Sequence, residues 1–127
     1  GYTKYHNQLE TKLANLLNKE SAILFPSGMS ANMALLSTFF SKEDLIINDQ
    51  FNHASSFLGS KLSFAKVEAF PHGSLNKLED ILKANQNARN KAIVVDGLFS
   101  ADGDFSDLTS ISDLARRYNA LFIVDEA

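Results

Sequence analysis

Short apolar runs recur along the chain, each closed by a turn signal and followed by apolar residues spaced three and four apart. This alternation is what most constrains the fold. Ala92-Ile93-Val94-Val95 is a β-branched run of the kind buried on both faces in a parallel sheet. Asp44 to Asn48, Lys66 to Phe70 and Leu121 to Val124 read as further strands, as does Ser21 to Phe25, which Pro26-Ser27-Gly28 ends. Between them lie helical faces. Leu9, Leu13, Leu16 and Leu17 mark one over residues 6–18; Met29, Met33, Leu36 and Phe40 mark a second; residues 54–62 form a third. Leu75, Leu78, Ile81 and Leu82, and then Leu108, Ile111, Leu114 and Tyr118, supply the last two. Strands alternating with helices of this length imply right-handed crossovers and a mostly parallel sheet covered on both sides. The expected class is α/β, a three-layer α/β/α arrangement.

Composition narrows the function. With 127 residues, 45% hydrophobic and 21% charged, one core suffices. A net charge of −3 without any basic block argues against a nucleic-acid partner. The absence of cysteine excludes a disulfide framework and a thiolate metal site. The apolar stretches fall well short of the roughly 20 residues that span a bilayer, so no membrane segment is expected and the cytoplasm is the default location. Gly1 at the start, and Asp125-Glu126-Ala127 directly after an apolar run, are expected of a piece of a longer polypeptide.

Ligands of open parallel sheets bind beyond the carboxyl ends of the strands. That rule selects Ser27 and Gly28, Asp49 and His53, Asp96 and Ser100, and Asp125. His72 is placed below these, because turn composition accounts for it. Ser27-Gly28-Met29 opens a helix, where unpaired amides and the positive dipole end suit an anion, although such a turn is also ordinary capping. His53 is either a cap or an imidazole facing the cleft. Asp125 at a strand end needs a positive partner, caps the next turn, or ligates magnesium together with Asp49 and Asp96. No GxGxxG follows a strand, and no P-loop motif is present.

In order and spacing these positions resemble the α-oxoamine synthase family of fold-type-I pyridoxal-phosphate enzymes. The landmarks are Gly1-Tyr2 with His6 to Glu10, Ser27-Gly28-Met29-Ser30-Ala31-Asn32, Asp49 with His53-Ala54-Ser55, Phe99 to Asp104, and Val124 to Ala127. The match covers essentially the whole chain.

The resemblance implies pyridoxal 5'-phosphate as cofactor, with residues 1–127 as part of the cofactor-binding large domain. Ser27, Gly28 and Met29 match the turn that holds its phosphate. His53 matches the histidine stacked on its ring, Ser100 the serine near its phenolic oxygen, and Asp125 the aspartate on its ring nitrogen. His53 and Asp125 are the catalytic candidates, and no metal is implied. The lysine that bonds to the cofactor lies downstream in the family and is absent from this chain, so these residues alone are expected to be inactive. The implied activity is decarboxylative condensation of an amino acid with an acyl-CoA. Alanine with pimeloyl-CoA is the leading pair, glycine with acetyl-CoA the nearest alternative, and longer acyl chains stay open. A homodimer is implied for the parent enzyme.

Two departures blur the substrate more than the cofactor. Asp96 stands where many members have Glu, and His72-Gly73-Ser74 replaces a more usual His-Asn-Asp. A non-catalytic scaffold of the same fold is the alternative from another class, as is the magnesium-dependent phosphotransfer domain.

Overall fold

A computed structural model describes all 127 residues. The elements run α1 (Lys4–Leu16), α2 (Gly28–Phe39), β1 (Leu45–Asp49), α3 (Ala54–Leu62), β2 (Lys66–Phe70), α4 (Leu75–Ala84), β3 (Lys91–Asp96), α5 (Leu108–Arg117) and β4 (Leu121–Asp125). All strand pairs are parallel, and the spatial order is β2-β1-β3-β4. The expected α/β class is therefore found, with each of these elements within about two residues of its expected bounds.

Side-chain alternation along the strands divides the core. Leu45 and Ile47 of β1, Phe70 of β2 and Ile93 and Val95 of β3 meet Leu78 and Leu82 of α4 and Ile111, Leu114 and Ala115 of α5. Ile46, Ala92 and Val94 point the other way, against Leu36 of α2 and Phe40 just beyond it. Helices thus cover both faces, the arrangement expected of three layers.

One expected strand is not formed. Ser21 to Phe25 forms no regular element and pairs with no strand, and the turn at Ser27-Gly28 follows a loop rather than a strand end. Ile23 is 75% exposed and Phe25 41%. Its backbone is held from the side instead, where the Leu24 amide donates to Glu10 Oε1 of α1 at 2.9 Å. Apolar content marks a run that could be buried, but it does not supply a ladder partner.

The strand order places a switch point between β1 and β3. From β1 the chain crosses through α3 to β2 on one side; from β3 it crosses through α5 to β4 on the other. The connections therefore leave these two neighbours in opposite directions, opening a crevice at their carboxyl ends.

Two contacts fix the scaffold, one between α2 and α3 and one at the far end of the sheet. Gly59 of α3 lies so close to α2 that an added Cβ would sit 2.7 Å from the Asn32 carbonyl oxygen and 3.1 Å from Met33 Cα. Backbone cannot yield as a flexible side chain does. Gly59→Ala is expected to destabilise the full-length protein by about 1–3 kcal/mol, read from its denaturant midpoint; an unchanged midpoint would show that the helices part at no cost.

At the opposite end of the sheet, the buried carboxylate of Asp44 accepts from Arg89 Nε and Nη2, from the Ser41 and Asn90 amides, and from Asn90 Nδ2. The Arg89 hydrogen bonds chiefly hold its pKa down from 3.8 to about 2, against the opposing effect of burial. A depressed carboxylate stabilises the fold above its unfolded value and loses that contribution as pH falls through its folded one. An acid titration of stability should therefore show a loss between about pH 4 and about pH 2 that Asp44→Asn removes.

Candidate functional site

At the crevice, Gly28, Met29, His53, Ser55, Asp96, Leu98, Ser100, Asp125 and Ala127 enclose a cavity of about 150 Å³. Gly28, Met29, His53, Ser100 and Asp125, picked out as site residues from sequence, thus converge on one space. Ser27 is not among the lining residues.

Ser27 opens α2. Its Oγ accepts from the Ser30 amide at 3.1 Å, while Ser30 Oγ returns a bond to the Ser27 amide, a reciprocal cap. The next two amides, of Gly28 and Met29, have no acceptor within the chain. A Cβ added to Gly28 would meet no atom within 4 Å, so the start of the helix faces open space. Two bare N–H groups at a positive dipole end form a ready anion site.

His53 is at once a cap and a cavity residue. It precedes α3, and its Nδ1 accepts from the Ser55 amide at 3.2 Å. Its own amide donates to Asp96 Oδ2 at 2.9 Å. Ser100 is exposed in the loop after β3, and its hydroxyl has no hydrogen-bond partner in the chain.

Asp125 ends β4, partly buried. Oδ2 accepts from Asn32 Nδ2 at 2.8 Å and Oδ1 from the Ala127 amide at 3.0 Å. Both donors are neutral, and no lysine, arginine or histidine pairs with this carboxylate. The positive partner that a strand-end aspartate calls for is thus not supplied by the chain itself.

Asp49, Asp96 and Asp125 do not form a metal centre together. Asp49 faces His72 and the Phe51 and Gly73 amides, Asp96 faces His53, and Asp125 faces Asn32. No group of three acidic or histidine side chains lies close enough to hold an ion.

Asn32 was quoted in the sequence only as part of a motif, yet it organises the site. One turn beyond Gly28 on the same helical face, its Nδ2 reaches both Asp125 Oδ2 and Ser55 Oγ. The spacing of four from Gly28 was the available signal; the partner 93 positions away was not visible.

Asp96 is buried, with Oδ1 lacking any partner. Desolvation raises its pKa above 3.8; the His53 amide opposes this, and the negative charge of Asp125 adds to it. A raised carboxyl favours the fold below the ordinary aspartate range and loses that contribution as pH rises through its folded value. Carboxyl-carbon NMR of the full-length protein should find Asp96 titrating above 3.8, and a midpoint at or below that value would refute the desolvation argument.

Against this geometry, residues 1–127 match the family model described as aminotransferase class I and II. The chain belongs to that family. The 8-amino-7-oxononanoate synthase 1 of Bacillus velezensis is 43% identical over 122 residues, covering 96% of this chain and 31% of that protein. The 8-amino-7-oxononanoate synthase of Petrotoga mobilis is 43% identical over 129 residues, covering 100% and 33%. Among solved structures, a serine palmitoyltransferase from S. paucimobilis with a bound PLP–myriocin aldimine superposes with a TM-score of 0.96 at 30% identity, over 100% of this chain and 32% of that one. The 8-amino-7-oxononanoate synthase of Francisella tularensis superposes with a TM-score of 0.83 at 36% identity, over 100% and 36%. The expected likeness to the α-oxoamine synthases thus holds in both sequence and structure. The chain spans about a third of the length of the curated relatives it matches.

Proposed function

We propose that residues 1–127 form part of the cofactor-binding domain of a pyridoxal-phosphate-dependent acyltransferase that condenses an amino acid with an acyl-CoA and releases carbon dioxide. The observation that carries this reading is the cavity at the switch point. Its lining brings together the bare amides of Gly28 and Met29 at one helix start, the cation-free carboxylate of Asp125, and His53 and Ser100.

The site fits the cofactor's chemistry. Open space over Gly28 beside two unpaired amides suits a phosphate group. A carboxylate served only by neutral donors suits a protonated ring nitrogen, and Asn32 holds that carboxylate in place. The imidazole of His53, fixed at Nδ1 by Ser55 and at its backbone by Asp96, offers a flat face to a ring. The free Ser100 hydroxyl can donate to an anionic ring oxygen. Bound there, pyridoxal phosphate supplies a conjugated ring able to take up the electron pair left when a bond at the amino-acid α-carbon breaks. Asp125 favours that outcome by keeping the nitrogen protonated. In this reading, the lysine that bonds to the cofactor lies outside residues 1–127.

The synthases at 41–43% identity favour 8-amino-7-oxononanoate synthesis from alanine and pimeloyl-CoA over the serine palmitoyltransferase reaction, whose solved relatives stand at 29–33%. Exposed apolar side chains along α1 and the segment after it, among them Tyr5, Leu9, Leu16, Ile23 and Phe25, support a second copy as partner. No helix is long and apolar enough to cross a membrane. Intracellular supply of CoA thioesters favours the cytoplasm.

The test uses the full-length protein with pyridoxal phosphate, recording the cofactor's visible absorbance and the thiol released from pimeloyl-CoA with alanine, acetyl-CoA with glycine, and palmitoyl-CoA with serine. Thiol release with the first pair is expected, and Asp125→Asn should lower kcat/KM by roughly 10²–10³-fold. Absence of both a visible band and thiol release with every pair would sink the reading.

A further inference from the structure

Outside the cavity, His72 forms a second polar cluster that the reaction does not use. Its Nδ1 lies 3.0 and 3.1 Å from the two oxygens of Asp49, and its Nε2 lies 3.2 Å from Asp104 Oδ2. With a carboxylate at each ring nitrogen, both nitrogens donate only when the ring is the imidazolium. The ring is also confined by aromatics: Phe51 stacks on it at 4.6 Å and 14°, and Phe99 meets it edge-on at 4.4 Å and 78°.

These contacts join two segments. Asp49 ends β1, where it also accepts from the Phe51 and Gly73 amides at 2.9 and 3.2 Å. Asp104 belongs to the loop after β3, which the Leu98–Phe105 bridge closes on itself. Inside that loop the Phe99 amide donates to Asp104 O, and the Gly103 amide to Phe99 O, both at 2.8 Å. Gly103 turns the chain at φ +75°, a conformation that suits glycine. Phe99 is fully buried, and the next residue, Ser100, is exposed in the cavity wall. Whatever holds Phe99 and Asp104 therefore holds Ser100.

We infer that His72 is a positioning residue: bridging Asp49 and Asp104 and packed against Phe99, it clasps the 98–105 loop so that the Ser100 hydroxyl stays at the cofactor cavity. The inference rests on the reading of Ser100 given under Proposed function.

Burial draws the pKa of His72 down, but hydrogen bonds and negative charge from Asp49 and Asp104 outweigh it, and the net shift is upward. These two carboxylates are the charged groups that face the ring; Phe51 and Phe99 carry none. A raised histidine pKa means that the clasp is complete below the ordinary histidine value and is lost as pH rises through the folded one.

The experiment uses the full-length protein and four variants, His72→Gln, Asp104→Asn, Ser100→Ala and the His72→Gln/Ser100→Ala double. Amide hydrogen exchange of residues 98–105 and the dissociation constant for pyridoxal phosphate are measured across pH, with the His72 pKa followed by NMR. Asp104→Asn cuts one arm of the clasp at a half-exposed side chain, and so keeps the test open if His72→Gln fails to fold. Either variant should quicken exchange in 98–105 by about tenfold or more, the scale of a lost charge-assisted hydrogen bond, while exchange in β1 and β3 is unchanged. Cofactor binding should weaken about as much as in Ser100→Ala, and the double variant should be no weaker than Ser100→Ala alone. In the parent, exchange corrected for base catalysis should rise as pH passes the His72 pKa, and His72→Gln should abolish that rise. Unchanged exchange in both clasp variants overturns the inference, as does quickened exchange with unweakened cofactor binding when Ser100→Ala does weaken it. If Ser100→Ala itself leaves cofactor binding intact, the assigned role of Ser100 fails, and the positioning role falls with it.

Discussion

The side chain of Asn52 holds the point at which β1 and β3 part, and the crevice exists because they part there. Their register ends at Asn48↔Val94; β1 turns off toward α3 while β3 continues to Asp96. A parallel pair ending this way strands the Val94 carbonyl and the Asp96 amide, and a buried backbone group without a partner costs roughly 1–3 kcal/mol. Asn52 meets both. Its Nδ2 donates to Val94 O at 2.7 Å and its Oδ1 accepts from the Asp96 amide at 3.1 Å, as a neighbouring strand would. The other Nδ2 hydrogen reaches Asn48 Oδ1 at 3.1 Å. One amide thereby continues the ladder for a further rung while the main chain is free to turn, and the residue that follows is His53.

The two faces of the sheet divide the work of stability and of access. Against α4 and α5 the strands present Leu45, Ile47, Phe70, Ile93 and Val95, in a core of ten buried residues; the other face gathers five. There, α3 turns Ser55, Ser56, Gly59 and Ser60 inward, and Asn48 donates to Ser60 Oγ at 3.0 Å. Small residues give up buried apolar area, but they allow α2 to approach α3 nearly backbone to backbone at Gly59. That approach brings the start of α2, with its unpaired amides, into the same cavity wall as the strand ends. A bulkier α3 would bury more surface and lift the start of α2 away from the strand ends.

Local chemistry explains what the sequence made legible and what it did not. Strand β2 ends where expected because Pro71-His72-Gly73 is a turn signal in its own right. His53, Asp96, Ser100 and Asp125 were legible because position at or just after a strand end is itself a local property, whereas Gly28 and Met29 stood out only as a turn opening a helix. Ser21 to Phe25 misled because being a strand requires a partner, and the partner is a property of the whole fold. Asn32 to Asp125, Asn52 to Val94 and His72 to Asp104 are contacts between residues 93, 42 and 32 positions apart, and no spacing rule reaches so far. His72 shows the cost of a sufficient local explanation: its turn setting accounted for it, while its two carboxylate partners lay elsewhere in the chain.

The cavity is electrically polarised, and that constrains how any ligand lies in it. Gly28 and Met29 bring bare N–H groups and the positive end of α2; Asp125 and Asp96 bring two carboxyl groups without a cationic partner. Two such groups in one cleft disfavour each other's charge, and burial, with the charge of Asp125 adding to it, raises the pKa of Asp96. Asp125 keeps two neutral donors and partial exposure, so the negative charge is better accommodated there. Under the proposed reading, a molecule with an anionic group at one end and a protonated nitrogen at the other satisfies both ends in one orientation and leaves two like charges apposed in the reverse one. Under the same reading a flat ring would meet the imidazole of His53, whose backbone is tied to Asp96, the residue whose amide donates to Asn52. Orientation thus traces to two constraints: the parting of β1 and β3 opens the cleft beside His53, and the pairing of β4 with β3, with Asn32 on its carboxylate, fixes Asp125 in the wall.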